Sequence, residues 1–321
     1  MIFDLASLAK PLVTAPLALR HLDLDRDRRA ALGFAGRREP LTVRQLLAHA
    51  AGLPAWLPFT GEPLARQLER GWPAQDHPKL APGRVGVCTY SDLGYRLLAD
   101  LLEAETGQAF PALGAAASGL LPAPWSEPPT PVPPGPDRDF WALAAPGLPF
   151  PEPAPGLPHD ANARAGMRGH AGFAADPARF QACLEAWAEA GWPRRMAQDQ
   201  ARGADGSRWG LGLQRAFRGP GRFGTLLDGI PLGRGGVHVL VRGGEAGDPP
   251  PMASGPAGEA SGFWYHLGFT GPALFYRPED GLLLGILAHR RGPGGGILDP
   301  DALQARRWAA LQGWMADQGF A

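Results

Sequence analysis

From about residue 208 the apolar residues of this chain change period, and that switch is what most constrains the fold. Before it, Leu93, Leu97, Leu98, Leu101 and Leu102 follow Ser91 and stop ahead of Gly107, and Phe180, Leu184 and Trp187 follow Asp176-Pro177. Residues three and four apart share a helix face, so each run buries one stripe. Ser91 and Asp176 are the expected N-caps, and Gly107 is a stop signal. After the switch, residues 237–241, 262–266, 273–276 and 282–288 form short apolar runs bounded by turn residues, which predicts strands. Arg277-Pro278-Glu279-Asp280-Gly281 reads as a hairpin turn, and residues 303–315 supply a closing helix. The expected class is α+β: an antiparallel sheet flanked by helices, plus an all-helical lobe.

The 321 residues suffice for a single domain of two lobes around a shared cleft. The helical lobe is expected over about 30–200, and the sheet lobe from about 208 to 321, joined by the helix that begins at Ser7. That first helix reaches to about Leu22. Pro11 fits its first turn, whereas Pro16 should kink or shorten it. Thr42 can cap a short helix carrying Val43, Leu46 and Leu47, ended by Gly52. Residues 122–158 hold 14 prolines and little periodicity, the pattern of a long loop.

Composition excludes several classes of function. Lys+Arg and Asp+Glu balance at 31 each, so no field draws the chain to nucleic acid or an anionic membrane. No apolar run approaches the roughly 18–20 residues of a membrane span. Cys88 and Cys183 form neither a disulfide framework nor a metal pattern. His159-Asp160 with His170 is read as loop bonding rather than a metal site, and His49 and His289 as structural. The expectation is no metal or organic cofactor and a small-molecule partner. No pattern sets an oligomeric state. The start as given carries no signal segment, so the compartment is cytoplasmic by default, or periplasmic or extracellular if an export signal precedes it.

The chemistry begins with Ser7-Leu8-Ala9-Lys10, a hydroxyl and an amine on one face of a turn. A serine needs a base to become a nucleophile, and lysine serves only if its surroundings populate the neutral amine. Tyr90-Ser91-Asp92 can bring the Tyr90 hydroxyl towards that pair for proton transfer. His266-Leu267-Gly268 lies on an expected strand. There His266 can face the pair, Gly268 can leave room for substrate, and the Phe269 amide can share an oxyanion hole with the amide of Ser7. Trp56 and Trp264 are the tryptophans expected to meet substrate.

These segments resemble the serine β-lactamase and penicillin-binding protein family, in the class C-like branch that includes many esterases. The resemblance rests on residues Phe3 to Lys10, Leu41 to His49, Tyr90 to Tyr95, Gly169-His170-Ala171-Gly172-Phe173 and His266-Leu267-Gly268-Phe269-Thr270-Gly271, in family order. It implies a β-lactamase/transpeptidase-like fold, with Ser7 as acylated nucleophile, Lys10 as its base and Tyr90 as proton shuttle. His266 would stand where relatives carry the lysine of a K-T-G motif. Asp92, Gly268, Phe269 and His170 would line the substrate site.

Two departures shape the expected chemistry. Asp92 stands where many relatives have asparagine, so an acceptor carboxylate replaces a donor amide and can pair with Lys10. His266, largely neutral near pH 7, holds a substrate carboxylate less well than a lysine. Both favour an acyl ester or amide over a β-lactam-like substrate or peptidoglycan peptide. The reading is a serine hydrolase working through an acyl-enzyme; the alternative is an impaired family member that binds peptidoglycan-like or acyl ligands. Relatives carry strands ahead of the serine helix that pair with the C-terminal strands. With six residues before Ser7, either the start is truncated or the sheet exposes an edge.

Overall fold

The computed structural model describes residues 2–34, 36–57, 61–70, 82–122, 161–164, 166–218, 223–242, 259–290 and 298–320. The proline-rich stretch read as a loop lies, beyond Pro122, outside the described residues, as does His159-Asp160.

Eight strands form the larger sheet. Their order is Val87–Cys88, Ala201–Gly203, Arg208–Trp209, Gln214–Phe217, Ala260–Leu267, Ala273–Arg277, Leu282–Ala288 and Gly236–Arg242. The predicted strands are all present, and Asp280 closes the predicted hairpin turn by accepting from the Arg277 side chain at 2.9 and 2.7 Å. The sheet is mixed, which corrects the antiparallel expectation. Gly236–Arg242 runs parallel to Leu282–Ala288, and Val87–Cys88 runs parallel to Ala201–Gly203. Parallel pairing needs a long crossover, and the Ala260–Arg277 hairpin supplies it for the first pair. Leu282–Ala288 is therefore flanked on both sides and is not an open edge.

Period-two alternation divides this strand between two cores. Leu283 and Leu287 face Phe180 and Leu184 of the helix Pro177–Glu189. Leu282, Leu284 and Ile286 face Leu311, Trp314 and Met315 of the closing helix Pro300–Asp317. Gly285 is where the first helix comes closest: a Cβ there would lie 2.6 Å from both Phe180 and Leu184. Asp176 and Asp299 cap these helices, each accepting a backbone N–H at 2.8 Å. Thr42 and Gln45 form a reciprocal capping box on Val43–Leu47. Ser91 precedes the helix Asp92–Thr106 as predicted but does not cap it. Its hydroxyl instead donates to the Pro54 carbonyl at 2.6 Å.

The first helix is broken into three, as its prolines require. A 3-10 turn spans Ala6–Leu8, a π turn Lys10–Thr14, and an α-helix Ala15–His21. Pro16 lacks the N–H that an α-helix would donate to Leu12, and the turn ahead of it widens. A second, three-stranded sheet (Phe3–Asp4, Phe173–Ala175, Leu121–Pro122) holds the entry to this segment. Among the described residues no helix is long and apolar enough to cross a membrane.

Close packing at Gly285 makes a measurable prediction. Gly285→Val should lower the unfolding free energy by about 1–3 kcal/mol through overpacking. Gly313→Ala, on an exposed helix position with nothing within 4 Å, should raise it by about 0.5–1 kcal/mol. Urea denaturation of the two variants against wild type checks both signs.

Candidate active site

Ser7 sits in the 3-10 turn that follows the strand Phe3–Asp4. The residue before it, Ala6, holds a φ of 43°, a left-handed conformation that a residue with a Cβ adopts only under constraint. The constraint is visible: the Ala6 N–H donates to Asp4 Oδ1 at 2.9 Å. This kink leaves Ser7 half-buried while its neighbours Ala6 and Leu8 are buried.

Lys10 follows one turn later and is fully buried. Its Nζ donates to Ser7 Oγ at 3.0 Å and to the His170 carbonyl at 3.2 Å, and pairs with Asp92 Oδ1 at 2.7 Å. Of the ammonium's three protons, Ser7 Oγ and the His170 carbonyl accept two, and the Asp92 carboxylate and the Tyr90 hydroxyl complete its surroundings. Burial pulls the Lys10 pKa down, but Asp92 and Tyr90 outweigh it, and the group ends above its ordinary value. The resting lysine is therefore charged at neutral pH.

Tyr90 closes the site from the side. Its ring lies 5.0 Å from Lys10 Nζ, and its hydroxyl interacts with both Lys10 and Ser7. Burial raises the Tyr90 pKa; Lys10 opposes this and Asp92 adds to it, so the phenol keeps its proton. The same hydroxyl is 3.4 Å from His266 Nε2. His266 Nδ1 donates to the Gly212 carbonyl at 2.9 Å, which fixes the tautomer and leaves Nε2 as an acceptor facing Tyr90. Burial and the Lys10 charge lower the His266 pKa to about 3, so the ring is neutral.

His49, read from the sequence as structural, belongs to this assembly. Its ring centre lies 4.5 Å from that of Tyr90 and 5.2 Å from that of Tyr95, tilted by 35° to each, and meets Trp209 edge-on at 4.8 Å. Its Nδ1 accepts from the Ser91 N–H at 3.0 Å, and its φ is 55°. Burial, with Lys10 and His266 adding to it, holds this ring well below the usual histidine pKa.

Ser7, Lys10, Asp92, Tyr90 and His266 lie in contact with one another, and three other readings are corrected. The His170 ring is fully buried and offers no face to a substrate; it is the carbonyl of this residue that reaches Lys10. Gly268 does not leave room for substrate, because the space beside it is filled. A Cβ there would lie 2.7 Å from Pro272 Cγ and 2.9 Å from the Leu5 carbonyl. Trp264 is buried and packs beneath Arg215 rather than meeting solvent. Phe269 does stand out, 38% exposed, with the Arg290 guanidinium 4.1 Å from its ring centre. Thr270 Oγ1 donates to the Asp4 carbonyl at 2.9 Å, tying this loop to the strand that leads into Ser7.

The sequence profile of the Beta-lactamase family matches residues 1–306, and the chain belongs to that family. Its fold is that of a class C β-lactamase from Rhodobacter sphaeroides, with a TM-score of 0.56 at 16% identity, covering 98% of this chain and 86% of that one. A D-amino acid amidase from Ochrobactrum anthropi SV3 superposes with a TM-score of 0.51 at 16% identity, covering 99% and 84%. SurE with D-Leu gives 0.55 at 19% identity, covering 99% of this chain and 64% of SurE. The chain thus spans a little under two thirds of the SurE length. No curated protein sequence matches it. The β-lactamase and the amidase that share this fold are hydrolases.

Two buried neutral histidines make stability depend on acid. An unfolded histidine protonates near 6.5, whereas folded His266 resists to about 3. The stability held through His266 is complete above pH 6.5 and is lost as pH falls towards 3, at up to about 1.4 kcal/mol per pH unit, and His49 acts in the same direction. Melting temperature should therefore drop steadily over that window. His266→Asn should flatten the slope; an unchanged slope would mean that the ring is charged in the native state.

Proposed function

We propose that the protein is a serine hydrolase that cleaves an ester or amide through an acyl-serine intermediate. The observation that carries this reading is the Oγ of half-buried Ser7 held 3.0 Å from the Nζ of a fully buried lysine. In the working state a neutral Lys10 takes the Ser7 proton as Oγ attacks the carbonyl. The Tyr90 hydroxyl, in reach of Ser7 and Lys10, returns a proton to the leaving alcohol or amine. Neutral His266 accepts from that hydroxyl and orients it. The Phe269 and Ser7 amides receive the oxyanion, and water then releases the acid.

Substrate class follows from the electrostatics. With His266 neutral and Lys10 already paired with Asp92, neither offers a free cation to a substrate carboxylate. The exposed Phe269 ring offers an apolar contact instead. This supports a small uncharged acyl ester or amide ahead of a β-lactam or a peptidoglycan peptide. The Lys10–Asp92 pair also supports a second reading, an impaired family member that binds acyl or peptidoglycan-like ligands without turnover, since it favours the charged amine.

Intact mass after exposure to a fluorophosphonate separates the two readings. A single adduct that Ser7→Ala abolishes is the outcome for a hydrolase; a folded wild type without adduct supports the silent binder.

Asp92→Asn tests the base. Removing the carboxylate leaves burial, which lowers the lysine pKa, as the dominant influence. The acidic limb of kcat/KM should then move to lower pH, raising kcat/KM at neutral pH. A limb that stays in place would remove Lys10 from the role of base.

A further inference from the structure

We propose that Arg307, in the closing helix behind the sheet, is a positioning residue that aims and polarises the Phe269 N–H towards the oxyanion. The inference rests on the acyl-serine reading above and extends it to a residue outside the site.

Arg307 is buried, and among the described residues its partners are all neutral oxygens. Nε donates to the Gly271 carbonyl at 2.8 Å, Nη2 to the Gly268 carbonyl and to the Pro272 carbonyl at 3.1 Å, and Nη1 to Gln304 Oε1 at 3.0 Å. Three of these four acceptors are backbone carbonyls of one turn, residues 268–272, which carries Phe269. Burying a cation without a carboxylate is costly, and nearby Arg290 adds repulsion. Packing alone would be served better by leucine or methionine. A planar guanidinium, with five donors in a fixed fork, is the one side chain that can hold all these carbonyls together.

The geometry of the peptide unit links this clamp to the site. The Gly268 C=O and the Phe269 N–H belong to one planar trans peptide, so they point in opposite directions. With the carbonyl drawn towards Arg307, the N–H is turned away from the closing helix. The other side of the turn faces the Ser7 segment: Thr270 bonds the Asp4 carbonyl, and Gly268 lies against the Leu5 carbonyl. A cationic donor on the C=O also withdraws electron density from the amide and strengthens its N–H as a donor.

The test measures kcat and KM for p-nitrophenyl acetate in Arg307→Met, Arg307→Lys and Gln304→Leu. Leu311→Ala is the control, a buried change in the same helix whose side chain packs in the second core. Arg307→Met should lower kcat about 10- to 100-fold, the range for losing an oxyanion donor, with KM within about threefold. Arg307→Lys should recover part of the loss, and Gln304→Leu should show a smaller fall in kcat alone. Leu311→Ala should melt earlier yet keep kcat within about twofold. The rate of Ser7 phosphonylation should fall in parallel with kcat.

A folded Arg307→Met with kcat within about twofold of wild type overturns the proposal, as does an equal loss in Leu311→Ala. Should the methionine variant not fold, Arg307→Lys decides by the same criterion. Failure of the acyl-serine reading looks different, because wild type itself then gives no Ser7 adduct.

Discussion

A fully buried lysine ammonium needs acceptors and a counter-charge, and much of this structure follows from how Lys10 finds them. Its partners include Ser7 on its own turn, the carboxylate of Asp92 at the start of the helix Asp92–Thr106, and the carbonyl of His170. The His170 carbonyl reaches Lys10 only because the chain turns sharply just before it. Gly169 has a φ of 86°, and a Cβ there would lie 2.0 Å from the Tyr95 carbonyl. Thr14, one turn after Lys10, secures the same bend by donating to the Gly169 carbonyl at 2.5 Å. One charge thus holds the serine turn, a long helix and the 169–171 segment in register.

Burial sets the ionisation of the groups around that charge. Asp92 balances it, and the other titratable neighbours stay neutral: His49 and His266 below the usual histidine range, Tyr90 and Tyr95 above the usual phenol range. Burial is the largest cause in each of these four. The outcome is a site with one matched ion pair and a wall of neutral rings. Such an arrangement keeps Lys10, Tyr90 and Ser7 in contact without an unbalanced buried charge.

Much of this was legible in the sequence, for reasons that differ by residue. The helices and strands follow from local periodicity, and the Ser7–Lys10 pair from spacing on one turn. Pro16 declared its own break. The parallel pairing of Gly236–Arg242 was not legible, because it depends on partners separated by a hairpin. Ser91 looked like a cap, but the Pro54 carbonyl and His49 take its polar groups. His170 and Gly268 were assigned to substrate on position alone; burial gave one to Lys10 through its carbonyl, and packing gave the other to Pro272 and Leu5. Arg307 was invisible, since a Gln-Ala-Arg-Arg-Trp run on a helix reads as a solvated face, whereas both arginines are buried.

Lys10 and Arg307 show the same device used twice with different ends. Each is a buried cation that organises backbone carbonyls it does not neutralise, one at His170 and one across Gly268, Gly271 and Pro272. The difference lies in donor geometry. A lysine presents its protons from one nitrogen, which lets Lys10 meet Ser7, Asp92 and the His170 carbonyl at a single point. A guanidinium spreads its donors over a rigid planar fork, which lets Arg307 span three carbonyls of one turn even though burial and Arg290 bring its pKa down to about 9. The point charge stands beside Ser7 and the fork behind the sheet, so one cation gathers groups around a single atom while the other holds the path of a loop.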